Sequence, residues 1–281
     1  MNESYVRESV VAGSFYPSNP ETLKKTINQY IEKAETEIIH NVKGLVCPHA
    51  GYIYSGQVAA YSYKQLKDRK IDCIFIIAPS HSEYFDFNSV FPGSAYKTPL
   101  GSVKVDSERA ETLVKGSDYP ANIRYSDYGH RREHSLEVQL PFLQTVLTDF
   151  KIVPIVMGSQ VKDNIESLGS SIGNLFTGQN IAVIASTDLS HYHPYNDAAS
   201  LDKSVIDYIE DFNNSNFKIE DFTDAITSQE VEMCGGGPVA SVMVASKILG
   251  ADKSKVLQYK NSGDVSGDRN AVVGYLSAAF F

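Results

Sequence analysis

Cysteine is scarce in this sequence: Cys47, Cys73 and Cys234 are the three it has. An odd number at scattered positions excludes a disulfide framework and leaves at least one thiol free, which fits a reducing cytoplasm. Long apolar runs are missing as well. No stretch approaches the roughly 18 to 20 residues that a membrane-crossing helix needs, and the opening Met-Asn-Glu-Ser-Tyr-Val-Arg has no apolar core of signal-peptide type. The expectation is a protein neither embedded in a membrane nor exported. Positive charge is in deficit, with 25 Lys and Arg against 34 Asp and Glu, a formal net charge of -9. Without a basic cluster, nucleic acid is excluded as a partner, and the acidity reads as an aid to solubility. Repeats, low-complexity tracts and linkers are also absent, so residues 1–281 are expected to form a single domain.

What is present alternates between two periodicities. Residues 42–47, 71–79, 151–158 and 181–186 are short apolar runs ended by Gly, Pro or Ser, as strands covered on both faces must be. Between them lie helical patterns. One is capped by Ser18 or Asn19 with Pro20 in its first turn and runs to about Glu37; others cover 56–66, 107–115, 164–176 and 238–249. A helix through Leu136, Leu140, Leu143 and Leu147 contains Pro141, which must kink it or divide it in two. Residues 5–17 read as an irregular lead-in. Residues 82–105 read as a long excursion with short strands, 197–226 as one or two surface helices, and 256–259 and 272–281 as closing strands. The fold class expected is α/β: a mixed, mostly parallel central sheet flanked by helices.

Chemistry concentrates where strands end. His49, His81 and His191 each follow a strand in a turn, and loops leaving the carboxyl ends of parallel strands line a common crevice. Cys234 stands in a glycine-rich turn ahead of a helix, where unpaired amides are expected to lower a thiol's pKa for nucleophile or ligand duty. Imidazoles with a thiolate make a sensible metal site, favouring iron, copper or zinc over magnesium or calcium. Asp188 can orient an imidazole, serve as a ligand or simply cap its turn. Glu133 and His134, at a helix start, can supply acid/base or supporting contacts. Cys73, in mid-strand, reads as core filling, and His40 as exposed. His193 is a weaker alternative to His191.

The motifs Ala12-Gly13-Ser14-Phe15-Tyr16-Pro17, Pro48-His49-Ala50-Gly51-Tyr52, Pro79-Ser80-His81, Glu133-His134-Ser135-Leu136-Glu137, Ser186-Thr187-Asp188-Leu189-Ser190-His191 and Met233-Cys234-Gly235 resemble, in order along nearly the whole chain, those of the Memo family. The resemblance implies the fold of the catalytic subunit of class III extradiol ring-cleaving dioxygenases. It also implies a non-haem metal pocket, with His49, His81 and Cys234 as ligands and His191 and Asp188 lining it. Those dioxygenases use a glutamate where this chain has Cys234, so ring cleavage does not carry over. The expected function is an iron- or copper-dependent redox protein acting on a small molecule or peptide, with His191, Asp188, Glu133 and His134 in catalytic roles. The alternatives are a binding module for a peptide or protein partner, and a hydrolase using Cys234 or zinc-activated water.

Overall fold

The computed structural model describes residues 2–119 and 121–281, with side chains from residue 5 onward. The first half of the chain forms β1 (Asn2–Arg7), α1 (Pro20–Lys33), β2 (Gly44–Cys47), α2 (Tyr52–Lys64) and β3 (Cys73–Pro79). Next come β4 (Asn88–Val90), β5 (Gly93–Thr98), β6 (Gly101–Lys104), α3 (Ser107–Gly116), β7 (Ile123–Tyr125), α4 (His134–Glu137) and α5 (Leu140–Val146). The second half forms β8 (Lys151–Met157), α6 (Lys162–Phe176), β9 (Ile181–Ser186) and β10 (His191–His193). It continues with α7 (Tyr195–Asp211), α8 (Ile219–Thr227), α9 (Gly236–Ile248), β11 (Ser254–Asn261), α10 (Gly263–Ser266) and β12 (Val272–Phe280).

The main sheet runs β10-β12-β2-β9-β3-β8-β4-β7, with β11 also paired to β12. Its centre, β2, β9, β3 and β8, is parallel, while β12 and β4 join that centre antiparallel on either side. The mixed α/β architecture expected from the sequence is what the chain adopts. Central strands bury both faces: Ile74, Ile76 and Ala78 of β3 join the core under α1, α2 and α5, while Cys73, Phe75 and Ile77 join the core under α3, α6 and α9. Cys73 is thus a core residue.

Several elements differ from the expectation for local reasons. The lead-in contains a strand, β1, which pairs with β5 in a separate three-stranded sheet with β6. β1, an edge strand, and β5, the middle strand, are short and half-polar, without an apolar run. Asn19 caps α1 through Thr22 N–H, but the helix stops at Lys33. α2 begins at Tyr52, immediately after the His49 turn, one turn earlier than its apolar periodicity indicated. Pro141 marks a division: α4 and α5 are separate pieces, and Pro141 sits in the first turn of the second.

Candidate metal centre

β2, β9 and β3 are neighbours in the sheet and their carboxyl ends lie in register, Cys47 beside Ser186 and Ala185 beside Ile77. Parallel strands stand about 4.8 Å apart, so the turns that follow them deliver His49, Asp188 and His81 to one rim. Cys234 reaches the rim from the other side. α9 packs beneath β9, β2 and β3, and the turn entering it lies against the end of β9. There Cys234 N–H donates to Asp188 O at 3.2 Å and Gly235 N–H to Thr187 Oγ1 at 2.9 Å. Gly235 is required by this approach, since a Cβ there would lie 2.3 Å from Ser186 O. Gln160 fastens the turn from outside, donating to Cys234 O at 2.7 Å and accepting from Gly237 N–H at 2.7 Å.

One donor atom each from His49, His81 and Cys234 falls within 4.8 Å of the others. Cys234 Sγ is 3.1 Å from His49 Nε2, and the His49 and His81 rings stand edge to face with centroids 5.1 Å apart. An ion with bonds of about 2.0–2.3 Å separates tetrahedral ligand atoms by roughly 3.3–3.8 Å, so the three donors fit a single ion after small side-chain movements. The donor set is soft, two imidazoles and a sulfur, which suits a transition metal.

Each imidazole is held through Nδ1. His49 Nδ1 lies 2.8 Å from Ser186 Oγ. His81 Nδ1–H donates to Glu133 Oε1 at 2.8 Å, and Glu133 Oε2 accepts the His81 backbone N–H at 2.7 Å. His191 Nδ1–H donates to Leu189 O at 2.7 Å. Burial opposes the charge on Glu133, yet its hydrogen bonds from the His81 ring and from the His81 and Ser135 amides bring the carboxyl down to about 2. His134 places its Nδ1 3.2 Å from the same oxygen and packs its ring against His81 and His49. His81, Glu133 and His134 also cluster within ligand range of one another. Because Glu133 Oε1 already accepts from His81 and from the Ser135 amide and hydroxyl, this group orients the His81 imidazole, with His134 beside it.

His49 is held well below the ordinary imidazole pKa by burial and then by the neighbouring rings of His81, His134 and His191, which favours the neutral, ligating form. Cys234 departs from the expectation of a lowered thiol pKa: burial, reinforced by the nearby Asp188 carboxylate, pushes it up. The single amide aimed at its sulfur, Asp188 N–H at 3.1 Å, does not offset that. Asp188 stands outside the groups of donor atoms that could hold an ion. Its Oδ1 accepts the His49 backbone N–H at 2.8 Å, capping that turn, and burial raises its carboxyl to about 7.

His191 is brought to the same rim by β10, which pairs with β12, and its pKa is lowered by burial. Asp202, fully buried on α7, accepts Ser190 N–H at 2.9 Å and Tyr259 O–H at 2.7 Å, fixing the segment that carries His191. The next residue, Tyr192, adopts φ 64°, a left-handed conformation rare for a bulky side chain, and is exposed. His193 turns away to Glu232 at 2.8 Å, and Tyr52 is buried with its hydroxyl on Val138 O, so neither joins the cluster. Residues that sequence reasoning did not single out, Ser186, Gln139 and Gln160, hold the cluster by hydrogen bonds, and only the direction of those bonds reveals them.

A mixed α/β sheet that gathers two imidazoles and a thiol at the carboxyl ends of its parallel strands defines the class: a protein with a metal-centre-like cluster at the sheet rim. The chain belongs to the Memo family, whose model, described as Memo-like protein, matches residues 7–279. A MEMO1 family protein of Methanosarcina barkeri is 42% identical over 273 residues, 96% of this chain and 98% of that one. Another, from Nitrosopumilus maritimus, is 37% identical over 281 residues, covering 98% and 99%. Among solved structures, an uncharacterised protein from Escherichia coli K12 matches with a TM-score of 0.54 at 14% identity, over 86% of this chain and all of that one. That likeness is one of fold. No helix among the described residues is long and apolar enough to cross a membrane.

Proposed function

We propose that this chain is a metal-binding redox protein in which His49, His81 and Cys234 hold one iron or copper ion, zinc being the closest competitor for the same donors. The observation that carries the reading is the convergence of three donor atoms from three distant segments within 4.8 Å. Bound there, the ion would supply electron exchange with oxygen or a small molecule. The chain's own residues supply the rest: Glu133 orients His81, Asp188 braces the His49 turn, and His134 walls the site. His191, its Nδ1–H held by Leu189 O and its pKa lowered by burial, accepts a proton at Nε2 and can afterwards return it. A reducing compartment, the cytoplasm, belongs to the proposal because the thiol must stay unoxidised.

A second reading, a binding module for a peptide or protein partner, draws on two exposed side chains, Ile53 four residues after His49 and Tyr192 directly after His191, at 71% and 75% exposure. A hydrolase using Cys234 as nucleophile is disfavoured by the raised pKa of its buried thiol. Elemental analysis of freshly purified protein and of Cys234→Ser tests the proposal. Iron or copper near one equivalent, lost in the variant, is the expected result; metal-free protein, or equal metal in both, overturns it.

A further inference from the structure

Behind His49 lies a chain of buried polar groups whose donor and acceptor roles admit one assignment. Tyr63 O–H is 2.6 Å from Gln139 Oε1, and Gln139 Nε2 is 2.7 Å from Ser186 Oγ, 3.2 Å from Pro48 O and 3.2 Å from Ser135 O. Two of these neighbours are backbone carbonyls, which only accept, so the amide nitrogen faces them and the amide oxygen faces the Tyr63 hydroxyl. Ser186 Oγ is 2.7 Å from Ser135 O, a separation that requires a proton between the two oxygens. The only proton available is the serine's own. Ser186 therefore donates to Ser135 O, accepts from Gln139 Nε2–H, and has a lone pair left for its remaining neighbour, His49 Nδ1 at 2.8 Å. His49 Nδ1 must carry the hydrogen.

We infer that Ser186 and Gln139, backed by Tyr63, are positioning residues that lock His49 in its Nδ1–H tautomer and keep the Nε2 lone pair on the side of Cys234. The inference rests on the metal-binding reading for its purpose and on hydrogen-bond direction for its content. Every member is buried: Ser186, Ser135 and Tyr63 at 0% exposure, Gln139 at 1% and His49 at 2%. Tyr63 is itself fixed by stacking on Phe142, with rings 4.9 Å apart and 12° from parallel. Water has no access to substitute for a lost partner, so removal of Ser186 leaves His49 Nδ1–H unsatisfied and the other tautomer open to it, while removal of Gln139 or Tyr63 loosens the group that presents Ser186 to the ring. The arrangement serves His49 as Glu133 serves His81, but with neutral groups in place of a carboxylate.

The test uses the full chain in its metal-free form, labelled with nitrogen-15 at histidine, and a separate anaerobic titration with iron(II) alone. In the wild type, His49 is expected to be protonated at Nδ1 and not at Nε2. Ser186→Ala should show a population protonated at Nε2 and bind iron(II) about 10- to 100-fold more weakly. Nε2 protonation in the wild type, or a Ser186→Ala protein with unchanged tautomer and an affinity within about twofold, overturns the inference. Should Ser186→Ala fail to fold, Tyr63→Phe decides. It removes one hydroxyl at the far end of the chain, and an iron(II) affinity about threefold or more below wild type supports the lock, whereas a smaller change overturns it. If the wild type binds no iron(II), the metal-binding reading falls, and the nitrogen-15 result still decides the tautomer.

Discussion

Two histidines in this molecule are almost entirely hidden from solvent, His49 at 2% exposure and His130 at 0%, and they have opposite fates. His130 is satisfied on both sides: Tyr96 O–H donates to Nδ1 at 2.6 Å and Nε2–H donates to Ser89 O at 2.9 Å. Its backbone carbonyl accepts from Arg7 Nε at 3.0 Å, which ties it to the buried Arg7–Glu137 ion pair. His49 bonds Ser186 Oγ through Nδ1 at 2.8 Å, but its Nε2 meets the Cys234 thiol at 3.1 Å rather than a scaffold oxygen. Burial alone therefore does not mark a ligand. An imidazole whose two nitrogens bond scaffold oxygens is part of the scaffold; His49 instead turns its second nitrogen towards a sulfur and the neighbouring imidazoles.

The comparison breaks most decisively at the metal. His49→Ala and Cys234→Ser should each abolish metal content, while His130→Asn should retain it, all read by elemental analysis; equal retention across the three would remove the distinction. Next in size is the scaffold side. Arg7→Met leaves the Glu137 carboxylate buried without its cation, and urea denaturation of the metal-free protein should show a loss of about 3–5 kcal/mol. Metal content should be unchanged, and a variant as stable as wild type would contradict the structural role of that pair.

Smaller effects sharpen the contrast. Glu133→Gln keeps the shape of the group orienting His81 but removes its charge, so metal affinity should fall about 10-fold, with the fold intact by circular dichroism. No change in affinity would mean that His81 needs no orienting carboxylate. Acidification probes His130, which burial holds at about 3. The unfolded chain takes up this proton near pH 6.5, so between pH 6.5 and 3 it binds more protons than the folded one. Stability contributed by the neutral ring is full above that window and falls through it, by at most about 1.4 kcal/mol per pH unit. In metal-free protein, His130→Asn should flatten the slope of unfolding free energy against pH, and an unaltered slope would refute the assignment.

The sequence made legible whatever is marked by a run of residues. β2, β3, β8 and β9 are apolar on both faces, so their positions and the turns after them could be read, and His49, His81 and Asp188 came with them. β10 could not be read that way, because His-Tyr-His has no apolar period and is a strand only by pairing with β12. Cys234 was legible as a site residue, but its proton affinity was not. Proximity to a helix start is visible in a sequence; enclosure, and the carboxylate of a residue 46 positions away, are not. Ser186 and Gln139 stayed hidden for a related reason: nothing marks a serine or a glutamine until it is known which neighbour gives a proton and which receives one.

The place of β12 in the sheet, between β10 and β2, has a consequence for how the protein is made. While the chain is being synthesised, the segment bearing His191 has no strand to lie against until Val272–Phe280 has left the ribosome. The pocket is therefore finished late in translation, and an ion taken up earlier would meet only part of its eventual walls.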